Sequence, residues 1–447
     1  MNKFVLSRRH LMLAGAATAI SAAACSKPAP AASASLAEDA AIWGFPLVLT
    51  GRYLELAKKS GSTLNQFYLN PNLATPSLKV PGPNIDTIYG YAWLDIAKEP
   101  VILDVPDVGD RYYSIQLLDA YENTFQYVGS RETGYKAGSY AITGPGWTGS
   151  LPDGVTQVQS PTTLVFVLTR TLVRSVADAP AAQKVQLEYT LAPLSNYPAG
   201  KAKGIIVNDA LNVLPALDLS DAGPTYFDEL NALVAKYPPT GPEAETFKTF
   251  AVLGLGSDDF AKKAPPKADL EAAFTNAYRR IREKDLFAQN TNGWKTNYSI
   301  SKFIKDPLAR AAVDQYGPGA HIAEEALYFS ALTDGNGAEL TGDKRYTLTF
   351  PAGQLPPVDG FWSVIVYDSN FFLVDNPINR YGINDRTPGL KKAPDGSLTL
   401  VFQHDAPKDK SNWLPTPKGS FRVLARAYEP KQAFLDKSYV FPSIAGA

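Results

Sequence analysis

The densest group of polar side chains suited to binding a small molecule lies in a loop near the C-terminal end. It comprises Asn376, Asn379, Arg380, Tyr381, Asp385 and Arg386. Amide, guanidinium and carboxylate groups on a loop carried by a rigid sheet can bind a hydroxylated or carboxylated ligand through paired hydrogen bonds. The alternative is structural, because Asn and Asp cap turns and Arg bridges loop carbonyl groups. Asn84, Asp86 and Tyr89 form an N-terminal counterpart with the same two interpretations.

Two pairs of side chains are weaker candidates for catalysis. Asp119 and Asp368 end two similar β-rich runs, and general acid–base hydrolysis requires paired carboxylates. Each Asp can instead cap the turn after its strand. His321 precedes Glu325 by four residues in a segment with helical spacing, so the pair can form a general base or half a metal site. A surface or helix-capping histidine is the alternative.

Metal and cofactor chemistry has little support in the sequence. The chain has three His and one Cys, whereas zinc and copper centres take two or three imidazoles or several thiolates. It has no G-x-S-x-G elbow, no P-loop and no G-x-G-x-x-G run that opens a helix. We therefore expect no metal and no cofactor.

Composition indicates a folded protein with no affinity for nucleic acid. The 447 residues include 43 Lys and Arg against 44 Asp and Glu, and 45% of them are apolar. This near-neutral balance excludes disorder and a strongly basic nucleic-acid surface. The 23 Tyr, 21 Phe and 6 Trp suit sugar rings or aromatic acids, although β-sandwich cores also use many aromatic residues.

The first residues are typical of an export signal. Ser7-Arg8-Arg9 precedes an apolar stretch that runs to Ala24, which resembles a twin-arginine signal over residues 1–24. Cys25 resembles the lipidated cysteine of a lipoprotein, and the alternative is ordinary cleavage with Cys25 removed or unmodified. Residues 25–37 then form a flexible tether. We expect an exported, periplasmic protein that contacts the membrane only through an N-terminal lipid anchor.

The periodicity of apolar residues predicts a mainly β protein with a helical connector, an α+β fold. Leu36–Lys59 is predicted as two short helices that Pro46 separates. Strands are predicted at 101–105, 112–118, 139–143, 163–173, 346–350, 361–368, 397–403 and 421–428, and helices at 226–237, 268–284, 306–316 and 320–332. The predicted domains are 38–175 (helices plus a β-sandwich), 176–335 (helical connector) and 336–447 (a second β-sandwich).

The two β-rich segments resemble each other. Tyr112–Asp119 aligns without gaps on Phe361–Asp368, since both runs read aromatic, aromatic, Ser, four mostly apolar residues and Asp. Val167–Arg170 likewise parallels Val423–Arg426 further along the chain. These matches predict two related antiparallel β-sandwiches. The alternative is that unrelated β-domains share such patterns.

Several motifs resemble those of a known family. Trp43–Pro46, Pro83–Tyr89, Arg111–Tyr121 and Gly144–Trp147 resemble the domain of unknown function 1254. A second set of motifs resembles its usual partner, the domain of unknown function 1214. These motifs are Leu355–Pro357, Phe361–Ser363, Tyr367–Asp368, Asn376–Tyr381, Asp385–Arg386 and Asn412–Pro415. The resemblance implies jelly-roll-like sandwiches and commonly export, but no settled activity. Arg111 and Trp413 lie in these motifs and join the ligand-binding candidates. Ile85 stands where the resemblance implies Arg, which removes one candidate for binding an anion.

Together these observations favour an envelope protein that binds a small hydroxylated or aromatic, carbohydrate-like molecule in a cleft of its β-domains. Two other classes stay open: a metal-independent periplasmic hydrolase that uses Asp or Glu, and a structural or assembly protein without a small ligand. Two carboxyl groups about 5–10 Å apart in one pocket favour the hydrolase. A homo-oligomer is compatible with each class.

Overall fold

The structure is a computed structural model that describes residues 30–207, 217–287 and 289–446. The predicted signal peptide and Cys25 lie outside the described residues. Within those ranges the chain forms two β-sandwich lobes and a set of helices packed beside the first lobe. None of the helices there combines the length and apolar character that a membrane span needs.

The N-terminal lobe consists of sheets 1 and 2. Its strands are β1 (Tyr68–Asn70), β2 (Thr87–Asp95), β3 (Val101–Val105), β4 (Tyr113–Leu118), β5 (Thr124–Gly129), β6 (Gly138–Thr143), β7 (Val155–Gln159), β8 (Leu164–Leu172), β9 (Thr190–Pro193), β10 (Ala202–Lys203) and β11 (Ile205–Ile206). Sheet 1 has the order β11-β1-β2-β8-β4-β5 and sheet 2 the order β10-β9-β3-β6-β7. Val165 and Val167 of β8 belong to the core between the two sheets. Because side chains alternate along a strand, Phe166, Leu168 and Arg170 lie on the other face of sheet 1.

The C-terminal lobe consists of sheets 3 and 4. Its strands are β12 (Gln289–Thr291), β13 (Trp294–Thr296), β14 (Ala326–Ala331), β15 (Tyr346–Phe350), β16 (Val358–Asp368), β17 (Gly382–Asn384), β18 (Leu398–Gln403), β19 (Trp413–Pro415), β20 (Phe421–Pro430) and β21 (Ile444–Gly446). Sheet 3 has the order β12-β13-β14-β20-β16-β17 and sheet 4 the order β19-β18-β15-β21. Val423 and Ala425 of β20 lie in the core between these sheets, so Leu424, Arg426 and Tyr428 lie on the opposite face.

The two lobes have the same strand topology. The order β1-β2-β8-β4-β5 of sheet 1 corresponds to β13-β14-β20-β16-β17 of sheet 3, and β9-β3-β6-β7 corresponds to β21-β15-β18-β19. In each lobe a late strand returns to lie beside the first long strand, as in the Greek-key connections of jelly rolls. Most strand pairs are antiparallel, as predicted, and the pairs β1–β11, β6–β7 and β18–β19 are parallel. The mainly β, α+β fold predicted from the sequence is therefore confirmed.

Helices accompany both lobes, and the longer ones pack on sheet 1 where the second lobe does not cover it. They are α1 (Pro30–Lys59), α2 (Ala179–Leu187), α3 (Gly223–Lys236), α4 (Gly241–Phe247), α5 (Phe260–Lys263), α6 (Lys267–Glu283), α7 (Pro307–Tyr316) and α8 (Gln432–Leu435). α1 packs against α3, α6 and α7. The resulting core includes Trp93 and Phe166 of sheet 1.

The prediction of two helices separated by Pro46 is wrong, because α1 continues through this residue. A proline inside a helix leaves the carbonyl four residues earlier, here that of Ile42, without its usual donor. Other helices donate to the neighbouring carbonyls: Tyr226 Oη to Ala41 O at 2.6 Å and Arg310 Nη2 to Trp43 O at 3.0 Å. The helix thus keeps its course in a buried, hydrogen-bonded setting. It begins at Pro30, within the range predicted as a tether.

The prediction of a helix over 320–332 is also wrong. β14 occupies Ala326–Ala331 and pairs along its whole length with β20. Its buried residues Leu327, Phe329 and Ala331 alternate as a strand requires. β9–β11 and β12–β14 likewise join the sheets, so both ends of the predicted helical connector contain strands.

Sheets 1 and 3 face each other across the interface between the lobes. Tyr112 and Leu172 from the first lobe form one apolar cluster with Ala326, Phe361 and Tyr428 from the second. Tyr428 stacks on Phe361, with ring centres 4.2 Å apart. This cluster borders the polar groups described below.

Arg310 on α7 makes a buried ion pair with Glu243 on α4, and Glu243 also accepts hydrogen bonds from Trp43 Nε1 at 2.6 Å and Asn123 Nδ2 at 3.0 Å. We expect Arg310→Met to lower the free energy of unfolding by about 3–5 kcal/mol, because it leaves a buried carboxylate without its counter-charge. Urea denaturation measures this change. The control is Arg279→Met, which removes an exposed pair with Glu283 and should cost less than about 1 kcal/mol. Equal losses for the two variants would contradict the prediction.

Candidate functional site

Two equivalent rows of polar side chains cross the facing sheets. In sheet 1, Arg170 of β8 pairs with Ser114 of β4 on one side and with Tyr89 of β2 on the other. We call these three residues the N-terminal row. In sheet 3, Arg426 of β20 pairs in the same way with Ser363 and Tyr328, which form the C-terminal row. Both rows lie on the sheet face turned away from the lobe's own core, and therefore towards the interface.

The arginine of each row is buried and has only neutral hydrogen-bond acceptors. Arg170 is 5% exposed, and it donates to Gln116 Oε1 at 2.9 Å and Gly319 O at 2.8 Å. Arg426 is 3% exposed, and it donates to Tyr367 Oη and Gly82 O, both at 2.8 Å. Among residues 30–207, 217–287 and 289–446, no carboxylate forms an ion pair with either guanidinium. These contacts satisfy hydrogen bonds but leave two buried guanidinium groups without an ion-pair partner, which is costly.

Tyrosine side chains surround the two guanidinium groups. The ring centre of Tyr89 lies 5.4 Å from the Arg170 guanidinium carbon. Tyr428 Oη accepts a hydrogen bond from Asn84 Nδ2 at 2.8 Å, which joins the two lobes. Tyr89 and Tyr328 lie between the sheets yet remain partly accessible.

Burial and the charges at the interface together shift the pKa values of three phenols, Tyr89 in one direction and Tyr328 and Tyr428 in the other. Burial raises the pKa values of Tyr328 and Tyr428. Burial also acts to raise that of Tyr89, but Arg170, Arg426 and the hydrogen bonds from Thr87 and Asn84 together lower the pKa of Tyr89 below its usual value. Neighbouring groups whose pKa values are driven apart are typical of acid–base sites.

His321 and Glu325, predicted as weak catalytic candidates, lie beside this tyrosine cluster. Tyr127 Oη accepts from Ile322 N at 3.3 Å and shares a hydrogen bond of 3.1 Å with His321 Nδ1. Burial, then Arg170 and Arg131, hold the pKa of His321 well below its usual value. The imidazole is therefore neutral, and its buried Nε2 has no partner among the described residues.

Glu325 links the lobes at the edge of the same region. It accepts hydrogen bonds from Tyr112 Oη and from Arg131 Nε, both at 2.7 Å. Burial raises the pKa of Glu325 although these contacts favour its charged form. His321 and Glu325 do not contact each other through a helix, because 320–325 forms turns before β14.

The structure brings together some of the ligand-binding candidates from the two ends of the chain. Asp86 Oδ1 accepts from Arg386 Nη2 at 2.8 Å, and Asp86 Oδ2 has no partner within the described ranges. The Arg386 guanidinium carbon lies 4.7 Å from the ring centre of Phe361. Asp385 bonds the same guanidinium, and burial raises its pKa. Asn84 and Asp86 therefore meet the C-terminal lobe at the interface, as Tyr89 does.

Other ligand-binding candidates serve their own surroundings. Asn376 accepts from the backbone of residues 378 and 380, and Arg380 donates to three carbonyl groups, those of residues 410, 411 and 413. Tyr381 donates to Asn379, and the indole of buried Trp413 donates to Gln403 O. Arg111 pairs with Asp178 at 2.6 Å, away from the two rows.

Asp119 and Asp368 have the same local role in the two lobes. Asp119 Oδ1 accepts from the backbone of Tyr121 and Asn123, and Asp368 Oδ1 accepts from the backbone of Asn370 and Phe372. Each carboxylate thus caps the turn after its strand. The two share no hydrogen-bond partner, so these contacts do not assemble the carboxylate pair that hydrolysis requires.

Asp119 also belongs to a buried acidic cluster with Glu122 and Asp314. Burial raises the pKa of Asp119 to about 6 and that of Glu122 to about 7. Burial and the neighbouring Glu122 raise the pKa of Asp314. A cavity lined by Glu122, Asn123 and Asp314 leaves about 20 Å³ for a water molecule, which is room for about one. No group of three or more metal-ligating side chains occurs in the described part of the chain.

The sequence reasoning missed Arg170, Arg426, Tyr328 and Tyr428 as site residues. A signal for them was present, because Ser114 and Arg170 recur as Ser363 and Arg426 in the aligned segments. In each segment the Arg alternates with the apolar residues of the sandwich core, so its side chain lies on the opposite face of the sheet. A charged residue kept at the same exterior strand position in both copies indicates a shared role at the facing surfaces.

Comparisons with known proteins agree with the two-lobe organisation. Residues 64–193 match the family model described as protein of unknown function DUF1254, and residues 325–432 match that described as protein of unknown function DUF1214. The crystal structure of the VPA0106 protein from Vibrio parahaemolyticus is similar, with a TM-score of 0.73 and 24% identity, covering 93% of this chain and 100% of that one. An uncharacterized protein from Burkholderia cenocepacia gives a TM-score of 0.45 and 12% identity, covering 91% and 87%. A search of curated proteins returns no match.

The acidic cluster predicts that stability falls as pH rises. Glu122 is protonated in the folded protein up to about pH 7, whereas its ordinary pKa is 4.5, so between these values the folded state binds a proton that the unfolded chain has released. The melting temperature should therefore decrease from pH 5 to pH 8. Glu122→Gln, which mimics the protonated acid, should make this decrease shallower.

The control for this measurement is Glu283→Gln, which alters an exposed glutamate on α6 and should leave the slope unchanged. Calorimetry over the same pH range compares the three proteins. A slope in Glu122→Gln equal to that of the natural protein would contradict the assignment.

Proposed function

We propose that the protein binds a small anion between its two lobes. The chain carries a DUF1254 domain followed by a DUF1214 domain. No activity follows from these families of unknown function, so the proposal is based on the interface itself. The ligand class is a hydroxylated or aromatic acid. The observation that carries this proposal is the pair of buried guanidinium groups, Arg170 and Arg426, with no carboxylate partner in the described ranges. A bound acid supplies the missing negative charge.

The chemistry of the surrounding groups supports an organic acid. Guanidinium groups bind planar carboxylates through two parallel hydrogen bonds. The partly accessible Tyr89 and Tyr328 offer aromatic surface and hydroxyl groups, which suit a ring that itself carries a hydroxyl. The unpartnered Nε2 of His321 adds a neutral hydrogen-bonding group close to the same cluster.

Thermal shift with a matched pair of compounds tests the requirement for a negative charge. Mandelate is an aromatic hydroxy acid, and mandelamide has nearly the same shape without the charge. We expect mandelate to raise the melting temperature in a dose-dependent way, because a ligand that binds only the folded state stabilises it. Mandelamide should have little effect. Equal shifts with the two compounds, or none with mandelate, would overturn the proposal.

Substitutions of the arginines locate the ligand. Arg170→Lys and Arg426→Lys keep the charge but lose the paired geometry, so each should weaken mandelate binding about tenfold or more. Arg52→Lys is the control, since Arg52 pairs with Glu229 on the helices. Arg380→Ala distinguishes the predicted loop site from the interface. If it abolishes binding while the Arg170 and Arg426 variants bind normally, the ligand lies at the loop instead.

We also propose that the protein is exported by the twin-arginine route and anchored through a lipid on Cys25. The support is the sequence of residues 1–25. Replacing Arg8 and Arg9 together by Lys should retain the protein in the cytoplasm. Cys25→Ser should release the exported protein from the membrane fraction. Cell fractionation measures both, and unchanged fractions would contradict the respective assignment.

A further inference from the structure

Tyr89 and Tyr328 hold equivalent positions in the two rows but have different surroundings. Tyr89 has three polar neighbours. Asn84 and Thr87 hydrogen-bond each other at 3.1 Å, and the guanidinium group of Arg170 lies over the Tyr89 ring. Tyr328 has the hydroxyl of Tyr428 as its neighbour. The shared topology thus places the two phenols at equivalent positions, whereas their local contacts give them different chemical properties.

The contacts of Tyr89 favour its charged form. Both guanidinium groups act on it, and the neighbouring polar groups of Thr87 and Asn84 hydrogen-bond it. Because no carboxylate pairs with Arg170 or Arg426 in the described part of the chain, a phenolate at Tyr89 also offsets part of their charge. Its partial accessibility leaves the ring open to a molecule bound between the lobes.

We propose that Tyr89 is a general base that removes a proton from the carbon next to the carboxylate of the bound acid, an inference that rests on the binding function proposed above. The Arg pair that binds the carboxylate holds that carbon near the row in which Tyr89 stands. General bases positioned in this way accelerate proton transfer by about 10²–10⁴-fold.

The step is balanced without a second reactant. An O–H bond forms on Tyr89 as the C–H bond of the acid breaks, and the electron pair of that bond moves into the carboxylate to give an enediolate. Arg170 and Arg426 stabilise the added negative charge. After the phenol exchanges its proton with water, it returns a solvent proton to the carbon and becomes phenolate again. The net result is exchange of one carbon-bound hydrogen with solvent.

Mandelate in deuterated water provides the test, because its single proton next to the carboxylate gives a resolved signal in proton NMR. We expect the natural protein to remove this signal with time. Tyr89→Phe should slow the exchange by about 100-fold or more while mandelate still raises its melting temperature. The rate for the natural protein should level off at a pH below the ordinary range of tyrosine, because the charges around Tyr89 lower its pKa.

Tyr113→Phe is the matched control. Tyr113 is a buried tyrosine of the same sheet, on the face turned towards sheet 2, and it donates to Gly134 O at 3.2 Å. Its exchange rate should equal that of the natural protein. If mandelate binds but does not exchange, or exchanges equally fast in Tyr89→Phe, the base assignment is overturned and the binding function stands. If mandelate does not bind at all, both proposals fail.

Discussion

The burial of two like charges between sheets 1 and 3 is the constraint around which the interface is organised. A guanidinium group stays charged in a protein, and in a medium of low dielectric constant two of them repel each other and lose their hydration. Acceptors from both ends of the chain provide partial compensation: Gln116 and Gly319 for Arg170, Tyr367 and Gly82 for Arg426. The arginines and the loops before β2 and β14 therefore hold each other in position.

The apolar and polar parts of the interface have separate roles. Tyr112, Leu172, Phe361 and Tyr428 provide the burial that holds the lobes together, and the pairs Tyr112–Glu325 and Asp86–Arg386 determine their relative position. Removing one partner of such a buried polar pair leaves the other without its hydrogen bond, so the two pairs favour one arrangement of the lobes. What remains between them is a polar region that contains the two buried guanidinium groups and the partly accessible Tyr89 and Tyr328.

Much of the architecture follows from local sequence signals. Val101–Val105 and Tyr346–Phe350 have the predicted bounds, because short β-branched runs between turn residues have few other ways to be buried. The ungapped match of Tyr112–Asp119 with Phe361–Asp368 also gives the correct register, since Ser114 faces Arg170 as Ser363 faces Arg426. The turn-capping roles of Asp119 and Asp368 follow from residue type alone.

The remaining features depend on tertiary contacts that a local pattern does not contain. Ala320–Leu332 has helical spacing, yet pairing with β20 makes its second half a strand. Pro46 disfavours an isolated helix, but α1 continues through it in a buried setting where α3 and α7 donate to neighbouring carbonyl groups. The sequence predicts only part of the candidate site, for a similar reason. Asn84, Asp86 and Tyr89 lie before or near the start of a strand, and their residue types are those expected of a binding site. Arg170 and Arg426 lie within long apolar strands. Their recurrence in the aligned segments marks them as equivalent, but their role at the interface becomes apparent when the facing lobe is placed opposite them.

The shared topology of the lobes has a consequence for how the site discriminates between ligands. In a two-fold symmetric dimer, both halves of a central site are identical, so the site receives either end of a ligand equally well. Here the halves are joined in one chain, and Tyr89 and Tyr328 have already diverged in their contacts. A fused pair of this kind can fix the direction in which an unsymmetrical molecule lies. It can also present different groups to the two faces of a chiral carbon.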